Sequence, residues 1–268
     1  MLKISSLGTH HGEEPPLSGK QGSGAVFFTG CNLRCVYCQN WQISQEGLGN
    51  AISGSDLADK MLALQDMGCH NINLVSPSQV AHQILETLKI AKARGLKIPI
   101  VYNTNGYDSF RILKMFEGYV DIYLPDIKYS SDENAYKYSG VKNYVKRNRA
   151  AIGEMFRQVG NLQLDEEGIA KRGVIVRHLV LPEDIAGSYE SLKSLASLSK
   201  DIWISVMAQY HPCYKAERFP ELNRRINSAE YRRVLERAEE FGLYNILAQE
   251  LDSSDTYLPD FSRERPFI

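Results

Sequence analysis

The chain has 268 residues, 43% of them hydrophobic and 24% charged, with 31 Lys and Arg against 32 Asp and Glu. This composition excludes a disordered chain and leaves ample length for one large α/β core. A formal net charge of −1 gives no bulk pull toward nucleic acid, and no apolar run approaches the ~20 residues of a membrane span, so neither partner is expected and a cytoplasmic location is.

In chain order, residues 25–30 read as a first strand. Ser55 can cap a helix carrying Leu57, Met61 and Leu64 that stops near Gly68. Residues 70–75 read as a second strand, and Val80, Ile84, Leu88 and Ala91 mark one face of the next helix. Residues 98–102 are a third strand and 120–124 a fourth. A longer polar helical stretch follows over 131–159, then a polar segment over 161–173 with the turn residues of a small hairpin. Residues 174–181 and 202–208 are the fifth and sixth strands. Asn227 and Glu230 form a capping-box pattern for a helix bearing Tyr231, Val234, Leu235, Ala238 and Phe241, ended by Gly242. A last strand over 245–248 closes or flanks the sheet. Strands alternating with helices predict an α/β fold built on a parallel sheet. The expectation is a single domain over 1–268, with its core at about 22–242.

Three cysteines, Cys31, Cys35 and Cys38, lie in Thr29-Gly30-Cys31-Asn32-Leu33-Arg34-Cys35-Val36-Tyr37-Cys38-Gln39-Asn40. The spacing is C-x3-C-x2-C, with an aromatic before the third cysteine, in a loop leaving a strand end. Three clustered thiolates suit three iron corners of a [4Fe–4S] cube and leave the fourth iron free to bind a small molecule. Structural zinc needs four ligands, and neither Cys69 nor Cys213 has a cysteine partner at zinc spacing. The histidines show no paired pattern. Five cysteines, an odd and locally clustered set, do not suggest disulfides, and no signal-peptide-like segment opens the chain.

This motif resembles the signature of radical S-adenosylmethionine (SAM) enzymes, and within them the relatives of pyruvate formate-lyase activating enzyme. The upstream run Gly8-Thr9-His10-His11-Gly12-Glu13-Glu14-Pro15-Pro16 suggests a less characterised subgroup of those relatives. The resemblance extends from about Gly8 to about Phe241. It implies a partial (β/α)6 TIM-like barrel, a [4Fe–4S] cluster on Cys31, Cys35 and Cys38, and SAM bound at the free iron. It implies reductive cleavage of SAM with an electron from reduced flavodoxin or ferredoxin, and hydrogen abstraction from a substrate. That substrate is a glycine of a partner glycyl radical enzyme, another peptide, or a small molecule. An oxygen-poor setting is implied too. No C-x2-C-x2-C-x3-C insert occurs, so a second cluster is not expected. The reading from another class is an iron–sulfur electron carrier or sensor that never cleaves SAM.

In such a barrel the chemistry sits beyond the carboxyl ends of the strands. Those ends carry the three thiols, then Ser76 and Ser78, then Asn103, Thr104 and Asn105, then Asp126 and Lys128, then Arg177 with His178, and finally Gln209, Tyr210 and His211. The resemblance assigns Lys128 and Arg177 to the SAM carboxylate and His211 to the neighbourhood of the adenosyl group. Tyr37, with the backbone of Gln39 and Asn40, is assigned to the adenine. Two departures stand out. The family's Gly-Gly-Glu-Pro, which receives the SAM amino group, is replaced by Val75-Ser76-Pro77-Ser78. Its Asp-Thr-Asn-Gly is replaced by Asn103-Thr104-Asn105-Gly106, so a monovalent cation held by Asp126 and Thr104 would lose one negative charge from its cage. Cys213 remains open as a buried thiol, a redox thiol or a hydrogen donor. One or both of the basic stretch 142–149 and the aromatic tail 257–261 are expected to cover or border the mouth.

Overall fold

The computed structural model describes residues 2–251, 258–263 and 266–267. Strand β1 (Leu2–His10) leads through a short helix α1 (Pro15–Ser18) into β2 (Ser23–Phe28). Then follow α2 (Trp41–Ser44), β3 (Asn50–Ile52), α3 (Gly54–Asp66), β4 (Ile72–Val75), α4 (Ala81–Ala93), β5 (Ile100–Thr104) and α5 (Phe110–Met115). The second half holds β6 (Ile122–Pro125), α6 (Asp132–Ser139), α7 (Tyr144–Val159), β7 (Gln163–Leu164), β8 (Ala170–Leu179), α8 (Ser188–Leu198), β9 (Trp203–Met207), α9 (Ser228–Glu240) and β10 (Ile246–Ala248).

The sheet order is β10-β9-β8-β6-β5-β4-β2-β1-β3, with β7 on β8. From β2 to β10 every neighbour in this path is parallel, while β1 pairs antiparallel with both β2 and β3. The path therefore ends on β10 and β3, and the barrel is partial, as expected.

Strand periodicity separates two faces. Val26, Phe28, Leu74, Tyr102, Tyr123, Val174 and Val176 join the large core shared with the helices. Their neighbours point the other way: Val101, Ile122, Leu124, Ala170 and Ile175 form an inner apolar cluster with Leu17 of α1. Two residues further along their strands, on that same inner face, come Asn103, Asp126 and Arg177. The inside of the barrel thus has an apolar floor and a polar upper layer. Leu17 is fully buried in the floor, so the turn into α1 brings Glu13 and Glu14, just before it, inside the barrel.

The structure adjusts several expected elements. The first strand ends at Phe28, which leaves Thr29-Gly30 to the cysteine loop. The cap of α3 is Ser53, not Ser55, because its hydroxyl accepts from Asp56 N. The stretch 131–159 is two helices, parted at Gly140, whose φ of 69° is left-handed. The hairpin over 161–173 is present as β7 against β8. The capping box of Asn227 and Glu230 is formed. The final strand extends the sheet by pairing parallel with β9. Strands β1 and β3 were not expected.

Candidate active site

Cys31, Cys35 and Cys38 are free thiols lining one cavity at the carboxyl ends of the parallel strands. The cysteine loop is tied down by backbone bonds from Arg34 N to Ser139 O and from Val36 N to Tyr138 O, both 2.9 Å. Each sulfur has its own polar neighbour. Leu33 N (3.4 Å) and Asn105 Nδ2 (3.3 Å) donate to Cys31, Ser139 Oγ (3.0 Å) donates to Cys35, and Ser44 Oγ lies 3.2 Å from Cys38. Burial pushes Cys35 up to about 12 and Cys38 up to about 11. Among the described residues no three His, Cys, Asp or Glu side chains converge on a single ion. A structural zinc site needs four ligands, and the loop supplies three thiols. That set suits a cube, which takes one thiolate at each of three corners and gains from sulfur-directed hydrogen bonds. The residues present therefore fit a [4Fe–4S] cluster.

The polar layer faces the cysteines across the same cavity. Arg177 Nε donates to Asp126 Oδ1 at 2.8 Å and its Nη2 to Asn103 Oδ1 at 2.7 Å. Lys128 Nζ lies 2.7 Å from Asp126 Oδ2. Burial would raise the Asp126 carboxyl, but Arg177 and Lys128 outweigh it and hold the group below the ordinary range. Burial disfavours the Lys128 ammonium, yet Asp126 holds its pKa above normal. Both Asp126 oxygens are thus engaged, and an added monovalent cation would have to displace a side-chain cation.

Other expected residues divide. Ser76, Asn40, Gln39, Tyr210 and His211 line the cavity. Ser76 is held at φ 59°, a left-handed backbone that a non-glycine residue adopts only under constraint. The Tyr37 ring lines the cavity, while its hydroxyl is 2.5 Å from Tyr129 Oη. Ser78 turns away: its Oγ donates to Asp108 Oδ1 at 2.6 Å. Thr104 lines the cavity, and its hydroxyl donates to Asp108 at 2.6 Å. Asn105 serves the cysteines, bonding Cys31 and Asn32. His178 is fully buried on the helix side, between Ile127 O and Ser188 Oγ. Cys213 donates to Tyr37 O at 3.4 Å and is absent from the cavity lining. The basic stretch 142–149 does not reach the cavity either. Of the tail, Tyr257 lies outside the described residues, Phe261 is buried beside Phe27, and Pro259 and Phe267 border the cavity.

Sequence reasoning missed His10, Gly12 and Glu13, which also line the cavity, and the buried Asp108. The signal for the first group was the adjacent acidic pair before Pro15-Pro16.

Comparison with known proteins agrees with this geometry. Residues 25–192 match the model of the Radical SAM superfamily. An uncharacterized protein of Methanocaldococcus jannaschii is 34% identical over 244 residues, covering 87% of this chain and 66% of that protein. The chain thus spans just under two thirds of that relative's length. The pyruvate formate-lyase-activating enzyme of Clostridium pasteurianum is 27% identical over 184 residues, covering 66% of this chain and 69% of the enzyme. SuiB of Streptococcus suis, crystallised with its precursor peptide SuiA, shares the fold at a TM-score of 0.55 and 15% identity, covering 88% of this chain and 50% of SuiB. With the family model covering well over half of its length and the cysteine loop seated at the strand ends, this chain belongs to the radical SAM superfamily.

Proposed function

We propose that the protein is an enzyme that cleaves SAM reductively at a [4Fe–4S] cluster held by Cys31, Cys35 and Cys38. The observation that carries this reading is the single cavity that joins three thiols to the Lys128–Asp126–Arg177 group. When bound, the cluster and SAM supply a 5′-deoxyadenosyl radical that removes a hydrogen atom from the substrate.

The chain's own residues do the rest. Asn105 and Ser139 point donors at Cys31 and Cys35 and fix their orientation. Lys128 and Arg177 keep their charges inside the barrel because Asp126 compensates burial, so both present N–H donors to an incoming carboxylate. Ser76 and the backbone at the end of β4 receive the amino group in place of the family's glutamate. Tyr37, Asn40, Gln39 and His211 line the side where the adenosine would lie. The inner apolar cluster closes the barrel from below and limits access of water.

Activation of a glycyl radical partner is the finer reading that the Clostridium relative supports. Hydrogen abstraction from another peptide or a small molecule is its rival. Reduced flavodoxin or ferredoxin would supply the electron, in an oxygen-poor cytoplasm, and the whole chain would act as one domain. Among the described residues no helix is long and apolar enough to cross a membrane. The test is anaerobic reconstitution with iron and sulfide, followed by dithionite and SAM. Formation of 5′-deoxyadenosine and methionine is expected. A reducible cluster that leaves SAM intact would return the chain to the class of electron carriers or sensors.

A further inference from the structure

Beneath the polar layer, the segment between β1 and α1 places Glu13 and Glu14 inside the barrel. Glu13 lines the cysteine cavity and also a second cavity of about 850 Å³, bounded by the segment from His11 to Gly19 and by β10. Glu14 lines the second cavity. The two spaces meet at Gly12, Glu13, Arg177, Met207 and Gln209. Glu13 thus faces both spaces, and Glu14 the second.

The pair lacks adequate partners. Glu13 has no short bond to a cation: it lies 3.4 Å from Asn103 Nδ2 and 3.8 Å from Arg177 Nη1, with the Asn73 and Glu14 side chains also beside it, because Arg177 spends its short bonds on Asp126 and Asn103. Glu14 is 8% exposed, and its Oε2 has no hydrogen-bond partner. Asn73, fully buried on β4, has neither amide atom in a hydrogen bond of ordinary length and meets the Glu13 carboxyl only at longer range. Buried polar atoms without partners are costly and uncommon, and here Glu14 Oε2 and the two Asn73 amide atoms belong to residues that both neighbour Glu13. Charge points the same way. An arriving cation would favour the ionised forms of Glu13 and Glu14, whose carboxyls burial raises, and with Asp126 they would then set three carboxylates against two fixed cations, Lys128 and Arg177. If those cations also meet the SAM carboxylate, the anionic surplus grows.

We propose that Glu13 and Glu14 are the anionic half of a substrate site that receives a primary ammonium or guanidinium group, with Asn73 as an added acceptor. This rests on the SAM-cleaving reading above and names the substrate class for that same site. The site is distinct from the SAM amino pocket by depth. Asn73 lies two residues before the end of β4, roughly 6–7 Å below the point where the polypeptide turns toward Ser76. The cation could be a Lys or Arg side chain of a peptide or a free alkylamine.

The experiment uses the reconstituted full chain, unreduced, with and without SAM. Probes are n-butylammonium and n-butylguanidinium against n-butanol, and acetyl-Gly-Lys-Gly-amide against its norleucine analogue, with affinity read by ligand-observed NMR. Cationic probes should bind about tenfold or more tighter than the neutral ones. In a Glu13→Gln, Glu14→Gln chain that preference should fall to near unity. Tighter binding of the lysine peptide than of the free amine would assign the site to a peptide, and the reverse to a small molecule. The proposal is overturned if wild type shows no preference for cations. It is also overturned if the preference survives in the double variant, which is the result expected of two carboxyls that merely share a proton. A Glu13→Gln chain that binds SAM more weakly yet keeps the preference would assign Glu13 to SAM instead. Because the NMR readout needs no reduction, absence of 5′-deoxyadenosine would count against the SAM-cleaving reading alone.

Discussion

Cys35 is the most enclosed of the three thiols, with Ser139 donating to its sulfur. Replacing it with Ala leaves two thiolates for a cube that needs three here. The Cys35→Ala chain should fold but fail to hold a [4Fe–4S] cluster, as read by iron content and visible absorbance; an intact cluster would remove Cys35 from the ligand set. The two cations of the polar layer should behave differently from each other. Losing a charged hydrogen bond to SAM costs about 1.5–3 kcal/mol, so Lys128→Ala and Arg177→Ala should each bind SAM roughly tenfold to a hundredfold more weakly. Arg177→Ala should destabilise the apo chain more than Lys128→Ala does, by about 1–3 kcal/mol, because it leaves Asp126 Oδ1 and Asn103 Oδ1 without their donor and removes the nearest cation from Glu13. Lys128→Ala leaves Asp126 paired with Arg177. Calorimetric SAM affinity and urea unfolding of both variants separate the two effects, and unchanged affinity in both would place the carboxylate clamp elsewhere.

At the scale of elements, α1 has four residues and no stabilising side-chain cap, so its place depends on Leu17 packing into the barrel floor. Leu17→Ala should cost about 2–5 kcal/mol in urea unfolding. A much smaller loss would mean that the floor closes without α1. The same segment shows what the sequence alone could and could not disclose. The parallel strands were legible because burial on both faces makes near-continuous apolar runs, as in Ser23–Phe28 and Ile72–Val75. The capping box of Asn227 was legible because both partners lie within four residues. The choice between Ser53 and Ser55 was not, since two serines flank one glycine and only Ser53 reaches Asp56. Strand β1 has a weak alternating pattern and is set by pairing with β2 and β3, which are distant in sequence from part of it. The cysteine site could be read because its ligands are local. Glu13 could not, since it enters the site only when residues 11–19 fold back between strands that come 60 to 190 positions later. Ser78, Thr104 and Asn105 were placed at the right strand ends, but their side-chain directions depend on Asp108 and Asn32, which no local spacing reveals.

Across the whole molecule most charge lies at the surface, and the carboxyls buried inside the barrel leave a mark on stability. Burial, reinforced by Glu13 and opposed by Arg177, raises the Glu14 carboxyl from 4.5 to about 7. The folded chain then keeps this proton through a pH range in which the unfolded chain has released it. Between about 4.5 and 7 the folded state binds more protons, so Glu14 makes stability fall as pH rises, and its full penalty is present above 7. Other groups oppose this trend: the buried His178 is held neutral, which favours the folded state as pH rises toward 6.5. A comparison of two chains isolates Glu14 from them. Glutamine has nearly the same shape and cannot ionise, so Glu14→Gln removes only the part of the penalty that varies with pH. The difference in unfolding free energy, variant minus wild type, should therefore become more favourable to the variant from pH 5 to pH 8, by up to about 3 kcal/mol. Paired urea titrations of the apo chains at the two pH values measure it. A difference that stays constant would show that Glu14 is ionised alike in both states, and that the barrel interior already supplies its counter-charge.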